Sequence, residues 1–282
     1  MKFAFLGYDY SVDVLMRLVK EGHMPVHVYT FPCDQMFYFN DQMKAFCESL
    51  GTPIQEERIT QSDIKELYDE GCDVILACGY PYKIPPIDET KAYGINLHPA
   101  LLPRVRGMMP IPFIIMEEPQ AAGVTLHKLS EGFDCGDILL QKPLMCDENT
   151  DVEMLGAKVA LISPDLVAEC FNNLKELWAK AKPQDDKKSS HYSPPDDKAR
   201  SLDWHGKVDD LLLKGRAFGR YGVLAQIENE AGQKQNLAVY QFSGWEEPHD
   251  YPCGYILRSS PREIIMSVKD GFVCLKDFQV LQ

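Results

Sequence analysis

The chain has 282 residues, 45% of them hydrophobic, with a formal net charge of −13 and a pI near 5.0. That is enough polypeptide to bury a sizeable core, in one large domain or two modest ones. The acidic balance argues against a surface built to grip a polyanion, and no apolar run approaches the roughly eighteen residues of a membrane span. Nine cysteines (33, 47, 72, 78, 135, 146, 170, 253 and 274) form no Cys-x-x-Cys pair and no metal-ligand spacing. Their odd number, with no secretory leader ahead of the first strand, reads as reduced thiols in the cytoplasm.

Residues 1–7 read as a buried first strand, and Gly7-Tyr8-Asp9-Tyr10-Ser11 turns into a helix expected over 11–21. This strand–turn–helix opening is Rossmann-like. A dinucleotide fingerprint needs three glycines there and only Gly7 is present, so NAD or FAD binding is not expected. A second strand is expected over 26–31, then a loop, a helix to about Leu50 and a short third strand at 53–54. The next helix covers 64–70, with Thr60 or Ser62 as its cap. Asp73–Cys78 reads as a strand that leaves the sheet through the stiff loop Gly79–Pro86. Strands near 93–97, 122–128 and 137–144 complete a mostly parallel sheet, with a helix after Met108-Met109-Pro110. Thr150-Asp151-Val152-Glu153 has the form of a capping box, predicting a long helix from about 151 to 181. Residues 182–205, rich in Pro, Asp, Lys and Ser, read as a linker. A short helix over 207–215 and alternating runs at 223–229, 237–243, 254–258, 262–268 and 272–280 then predict a small antiparallel β domain. The fold class is α/β, a Rossmann-like sheet with helices on both faces (1–181) followed by a β-rich domain (206–282).

The centre of this plan is Ile95–Gly107. It opens as an apolar-alternating strand and breaks at Pro99 into a loop punctuated by Pro103 and Gly107. Side chains two apart on a strand share a face, so Asn96 and His98 point the same way at the C-terminal edge, where open α/β sheets place their sites. An imidazole beside an amide donor suits a reaction that removes a proton from an attacking group and stabilises an oxyanion. Downstream, Gly132 and Gly136 frame a tight loop able to carry Asp134 to the histidine. His127 is read as structural, and His23, His27, His191, His205 and His249 show no partner pattern.

Asn-x-His, then Leu-Leu-Pro-Arg-x-Arg-Gly, then Gly-x-Asp-x-Gly-Asp some way downstream, resembles the formyltransferases that use 10-formyltetrahydrofolate. The resemblance is strongest over 73–144 and weaker after 200. It implies an enzyme in which Asn96 donates to the oxyanion, His98 handles the proton and Asp134 orients His98 and favours its charged form. It also implies N10-formyltetrahydrofolate as formyl donor and no metal. The pterin would lie between the loop of Tyr80, Tyr82, Lys83, Ile84 and Pro85 and the loop of Ser130, Glu131, Gly132 and Phe133. Many members of such a family pair, so a homodimer is expected.

The acceptor is argued from what the chain lacks. Family members acting on tRNA resemble one another in a basic loop after the second strand; here residues 31–42 hold no Lys or Arg. Residues 206–282 carry nine Lys or Arg against ten Asp or Glu, so the β domain offers no evident basic surface. Tyr8, Phe37, Tyr38 and Phe39 are candidates to stack on a pyrimidine base, and Arg104 or Arg106 to meet a pyrophosphate, with Asp9 and Met108 beside them. Phe37–Phe39 reads equally as a lid packed on the core. Among family members the sugar N-formyltransferases fit best, with a UDP- or dTDP-linked 4-amino-4,6-dideoxy sugar as acceptor in surface-polysaccharide biosynthesis, and with no nucleic-acid or membrane partner. Methionyl-tRNA formyltransferase, formyltetrahydrofolate hydrolase and a folate-binding module without turnover are the alternatives.

Overall fold

Strand β1 (Lys2–Gly7) alternates Phe3 and Phe5 with Ala4 and Leu6, and these two sets enter two different cores. The computed structural model describes residues 1–228 and 232–281. Helix α1 (Val12–Lys20) follows a short 3-10 turn and buries Val14, Leu15 and Leu18. Next come β2 (Met24–Tyr29), α2 (Asp41–Leu50), β3 (Ile54–Gln55) and α3 (Gln61–Asp69). Thr60 caps α3 in a reciprocal capping box with Asp63, a device that stabilises a helix start by about 1 kcal/mol. Strands β4 (Val74–Cys78) and β5 (Tyr93–His98), helix α4 (Pro110–Met116), and strands β6 (Gly123–Lys128) and β7 (Ile138–Pro143) follow.

The seven strands lie in the order β3-β2-β1-β4-β5-β6-β7. Pairing is parallel from β3 to β5, whereas β6 runs antiparallel to both β5 and β7. One face packs Phe3, Phe5, Val74, Leu76, Ile95 and Leu97 against α1, α2 and helix α5 (Val152–Asn172). The other packs Ala4, Leu6, Ile75 and Ala77 against Ile64 and Leu67 of α3. Each fully buried Leu or Ile contributes roughly 1.5–3 kcal/mol.

The helix expected from 151 to 181 is two. After α5 the backbone of Asn173 (φ −120°, ψ 18°) leaves the helical region, and α6 (Leu174–Ala179) starts from it. The cap also differs. Asp151 accepts from the Met154 N–H at 2.7 Å, while the Thr150 hydroxyl is taken by Asp147 at 2.8 Å. A nearby turn competed for the threonine.

Two compact units divide the chain: Met1–Pro110, Gln120–Met145 and Gly156–Tyr192 in one, and Ile111–Pro119, Cys146–Leu155 and Ser193–Gln282 in the other. In the second, α7 (Asp197–Arg200) and α8 (Val208–Phe218) precede β8 (Val223–Glu228), β9 (Lys234–Glu246), β10 (Ile256–Ser259), β11 (Glu263–Ser267) and β12 (Gly271–Leu281). These form an antiparallel sheet in the order β10-β11-β12-β9-β8. Val239, Met266, Val273 and Leu275 pack under Val208 and Leu211 of α8. Residue 229, the expected end of the first β run, lies outside the described residues. Among the described residues no helix is long and apolar enough to cross a membrane.

Candidate active site

Because Ile95 and Leu97 face the α5 core, Asn96 and His98 face the other way from β5. Strand β6 repeats the pattern: Val124 and Leu126 enter the core, while Thr125 and His127 turn to the opposite face. Antiparallel register sets Asn96 opposite His127 and His98 opposite Thr125, and directly opposed residues share a face. Four polar side chains therefore converge. Thr125 is spent on structure, donating to the Ala100 carbonyl at 2.6 Å and accepting from the Leu102 N–H at 3.1 Å.

Asp134 completes the group. Its Oδ1 lies 3.5 Å from His98 Nδ1 and 3.5 Å from His127 Nε2, and accepts from Asn96 Nδ2 at 3.2 Å. Its Oδ2 accepts from the Gly107 N–H at 2.9 Å. Asn96 Nδ2 also donates to His127 Nε2 at 3.0 Å. The carboxylate fixes the amide's orientation, because a flipped amide would aim its oxygen at Asp134.

The histidine tautomers follow from carbonyl partners, which only accept. His98 Nε2 lies 2.8 Å from the Val105 carbonyl and so carries a proton, leaving Nδ1 as the titrating atom, toward Asp134. His127 Nδ1 donates to the Lys128 carbonyl at 2.8 Å, leaving Nε2 to receive the Asn96 amide. Burial pushes the His98 pKa down; the Asp134 charge and the Val105 carbonyl oppose this but the net direction is down. For Asp134, burial pushes up, yet the attraction of positive charge on the imidazoles, which they carry only in acid, and the Gly107 N–H together hold the carboxyl well below the ordinary range. At neutral pH the pair is thus an ionised carboxylate beside a neutral imidazole with an open nitrogen.

The loop geometry departs from the expectation of a glycine-framed turn. Asp134 itself takes the left-handed conformation (φ 55°), which Asp tolerates better than most residues. Gly136 is needed for space, since a Cβ there would lie 1.9 Å from the Lys128 carbonyl oxygen. At Gly132 a Cβ would meet only the Cys135 side chain, at 3.1 Å. Gly136→Ala is accordingly expected to cost about 1–3 kcal/mol of stability, whereas Gly132→Ala keeps a near-wild-type urea midpoint. Urea midpoints of the two variants check this; equal midpoints would refute the crowding argument.

The aromatic candidates gather at the C-terminal edge where the chain order reverses between β1 and β4. A Cβ on Gly79, just after β4, would lie 2.8 Å from the Tyr8 ring. Tyr8 stacks on Tyr10 (5.9 Å, 20°) and meets Phe31 and Tyr38 at 5.5 and 5.4 Å. Tyr38 thus packs inward, Phe37 is half-buried and Phe39 is exposed. Asp9 receives the Gln42 and Met43 N–H groups at the start of α2. Tyr82 meets Phe31 at 6.4 Å and Tyr80 at 5.4 Å, with the Arg58 guanidinium 4.0 Å above its ring. Ile84 packs with Tyr80 on the α3-side core, Pro85 is half-buried and Lys83 is exposed. Ser130, Glu131, Gly132 and Phe133 form an exposed loop, in which the Ser130 hydroxyl donates to the Gly132 carbonyl at 3.0 Å.

The two arginines separate. Arg104 is half-buried and Met108 exposed. Arg106 is buried, with Nε and Nη2 donating to Gln184 Oε1 at 3.1 and 2.8 Å and Nη2 to Asp186 at 2.9 Å. Its fork is therefore engaged within the protein. Sequence reasoning left His127 as structural and did not single out Gln184; the structure brings the first to Asn96 and the second to the Asp134 carbonyl. The alternation of Thr125 and His127 against Val124 and Leu126 held a signal for the first; a polar stretch of ordinary linker composition held none for the second. Among the described residues no group of three His, Cys, Asp or Glu gathers as a metal ion would require.

Comparison with known proteins gives one family match: residues 35–169 fit the family described as formyl transferase. Methionyl-tRNA formyltransferase of Caldicellulosiruptor saccharolyticus is 25% identical over 292 residues, covering 99% of this chain and 92% of that protein. The chain superimposes on HypX from Aquifex aeolicus, crystallised with tetrahydrofolic acid, with a TM-score of 0.72 and 19% identity. That match covers 100% of this chain and 44% of HypX, so the chain spans less than half of that protein. An N-formyltransferase from Helicobacter canadensis, in complex with folinic acid and dTDP-3-aminofucose, matches with a TM-score of 0.65 and 17% identity over 100% of both chains.

Proposed function

We propose, from the match of residues 35–169 to the formyl transferase family, that this chain moves the formyl group of N10-formyltetrahydrofolate onto the amine of a nucleotide-linked amino sugar. The observation that carries formyl transfer is the cluster of Asn96, His98 and Asp134 around one carboxylate oxygen. The substrate amine attacks the formyl carbon, forming the new C–N bond as the carbonyl electron pair moves onto oxygen. One Asn96 N–H is exchanged from its internal partners to that oxyanion, a donation worth roughly 2.7–4 kcal/mol. The His98–Asp134 pair takes the proton from the attacking nitrogen, holding it on His98 Nδ1. Collapse breaks the bond to folate N10, which receives the proton, leaving a formamide and tetrahydrofolate.

The sugar acceptor is supported by the acidic chain, the absence of Lys and Arg from residues 31–42 and the rings around Tyr8, which offer a platform for a uracil or thymine. Arg104, half-buried where Arg106 is buried, is the proposed partner for a pyrophosphate. A 4-amino-4,6-dideoxy sugar on UDP or dTDP is the expected acceptor, and the same reading implies a cytoplasmic homodimer in polysaccharide biosynthesis. One observation favours a second reading: the match to a methionyl-tRNA formyltransferase runs through 99% of this chain.

Mass spectrometry of reactions with N10-formyltetrahydrofolate separates them. The panel holds UDP- and dTDP-linked 3-amino and 4-amino sugars, methionyl-tRNA and a no-acceptor control. One added formyl mass on a nucleotide sugar is the expected result. Formylated tRNA alone would overturn the sugar reading, and folate turnover without acceptor would replace transfer by hydrolysis.

A further inference from the structure

Residues 182–192 have the composition of a linker but are tied by backbone hydrogen bonds at both ends, with a 3-10 turn at Asp186–Lys188 between them. Lys182 and Ile138 exchange two backbone hydrogen bonds, at 2.8 and 3.0 Å. At the other end, the Val105 N–H donates to Ser190 Oγ at 2.8 Å and the Arg106 N–H to the Ser190 carbonyl at 3.0 Å, while the Tyr192 N–H donates to the Arg106 carbonyl at 2.9 Å. A Cβ on Gly107 would lie 2.2 Å from the Tyr192 carbonyl oxygen, so the segment presses directly on the residue whose N–H holds Asp134.

Between these ends sits Gln184, and each of its amide atoms is committed. Nε2 donates to the carbonyls of Asp134 and Gly136, both at 2.8 Å. Oε1 accepts from the buried Arg106 guanidinium at 2.8 and 3.1 Å. One side chain therefore ties the backbone of the Asp134 loop to the loop of Val105–Gly107. Both loops hold left-handed backbone at non-glycine residues, Val105 at φ 55° and Asp134 at φ 55°. A β-branched residue in that region costs on the order of 1–3 kcal/mol and persists only where its surroundings over-determine it. The bonds from Gln184 and Ser190 are such surroundings.

We propose that Gln184 is a positioning residue for formyl transfer, acting as the bolt of a clasp (182–192) that registers the Asp134 carboxylate against His98. This rests on reading Asp134 as catalytic. Losing the two donated bonds frees the Asp134 backbone to leave its strained conformation and carries the carboxylate away from His98 Nδ1. A displacement of about 1 Å at a reacting group costs about 10²-fold in rate.

The test uses the full chain with Gln184→Met, which keeps the volume and loses both functions, and Gln184→Glu, which keeps the acceptor for Arg106 and loses both donors. The first readout is the NMR titration of the His98 imidazole, identified by the signal missing from His98→Ala. The ring is faced by Asp134 and His127, so withdrawal of the carboxylate moves its titration to lower pH. The second readout is kcat and KM for N10-formyltetrahydrofolate with the acceptor that the panel identifies. Both variants are expected to fold, to shift the titration downward, and to lose about 10- to 100-fold in kcat at unchanged KM.

Wild-type titration and kcat in both variants would overturn the proposal. So would full recovery in Gln184→Glu, which would move the role to the Arg106 anchor, or failure of both variants to fold, which would make Gln184 a stability residue. A shifted titration alongside a fully active Asp134→Asn would instead refute the catalytic role of Asp134 while leaving the clasp in place.

Discussion

Asp134→Asn is expected to lower kcat by roughly 10²- to 10⁴-fold and to move the acid limb of the pH–rate profile to lower pH. In the proposed mechanism the working form has a neutral His98, whose pKa burial places below the ordinary histidine value of 6.5, so activity is expected to fall as pH drops through that lower value. The Asp134 charge pushes the His98 pKa up. Removing it deepens the depression, so His98 stays neutral to a lower pH and the limb follows. The plateau drops because the protonated imidazole formed during the reaction no longer has a carboxylate 3.5 Å away. Asparagine preserves the volume and can still accept from the Gly107 N–H, so the fold is expected to survive. A wild-type plateau would remove Asp134 from the mechanism, and a limb moving to higher pH would contradict the coupling.

His98→Ala should have an effect of the same order on kcat, roughly 10²- to 10⁴-fold, but a different pH signature. The titrating nitrogen is gone, so residual turnover should be flat across the acid range where the wild type declines. Stability carries an independent sign. A buried histidine whose native pKa is depressed binds fewer protons than its unfolded form, so it leaves stability intact above 6.5 and erodes it as pH falls toward the native value. The variant should lack that erosion in urea titrations. It should also carry a pH-independent loss of about 1–3 kcal/mol, because the Val105 carbonyl is left buried without its donor. An unchanged rate, or a preserved acid limb, would place the base elsewhere.

Much of the frame was legible in the chain. Alternation in Lys2–Gly7 and Val74–Cys78, the cap at Thr60 and the break at Pro99 are local signals, and local physics settles them. Asn96 and His98 follow from the two-residue period of a strand. The placement of His127 opposite Asn96 did not, because it depends on β6 running antiparallel to β5 in one particular register. A one-residue slip would have turned His127 into the core.

The sequence by itself determined which residues alternate, where chain direction breaks and which ordered set carries the family resemblance, because these depend on neighbours a few residues apart. Tertiary structure alone decided that Asp134 rather than a glycine takes the left-handed turn, that Arg106 spends its guanidinium inside the protein, and that a polar stretch of linker composition closes on the site through Gln184. Each of these rests on a hydrogen bond between residues dozens of positions apart. Composition cannot specify such a bond, since the same polar side chains satisfied by water would read identically.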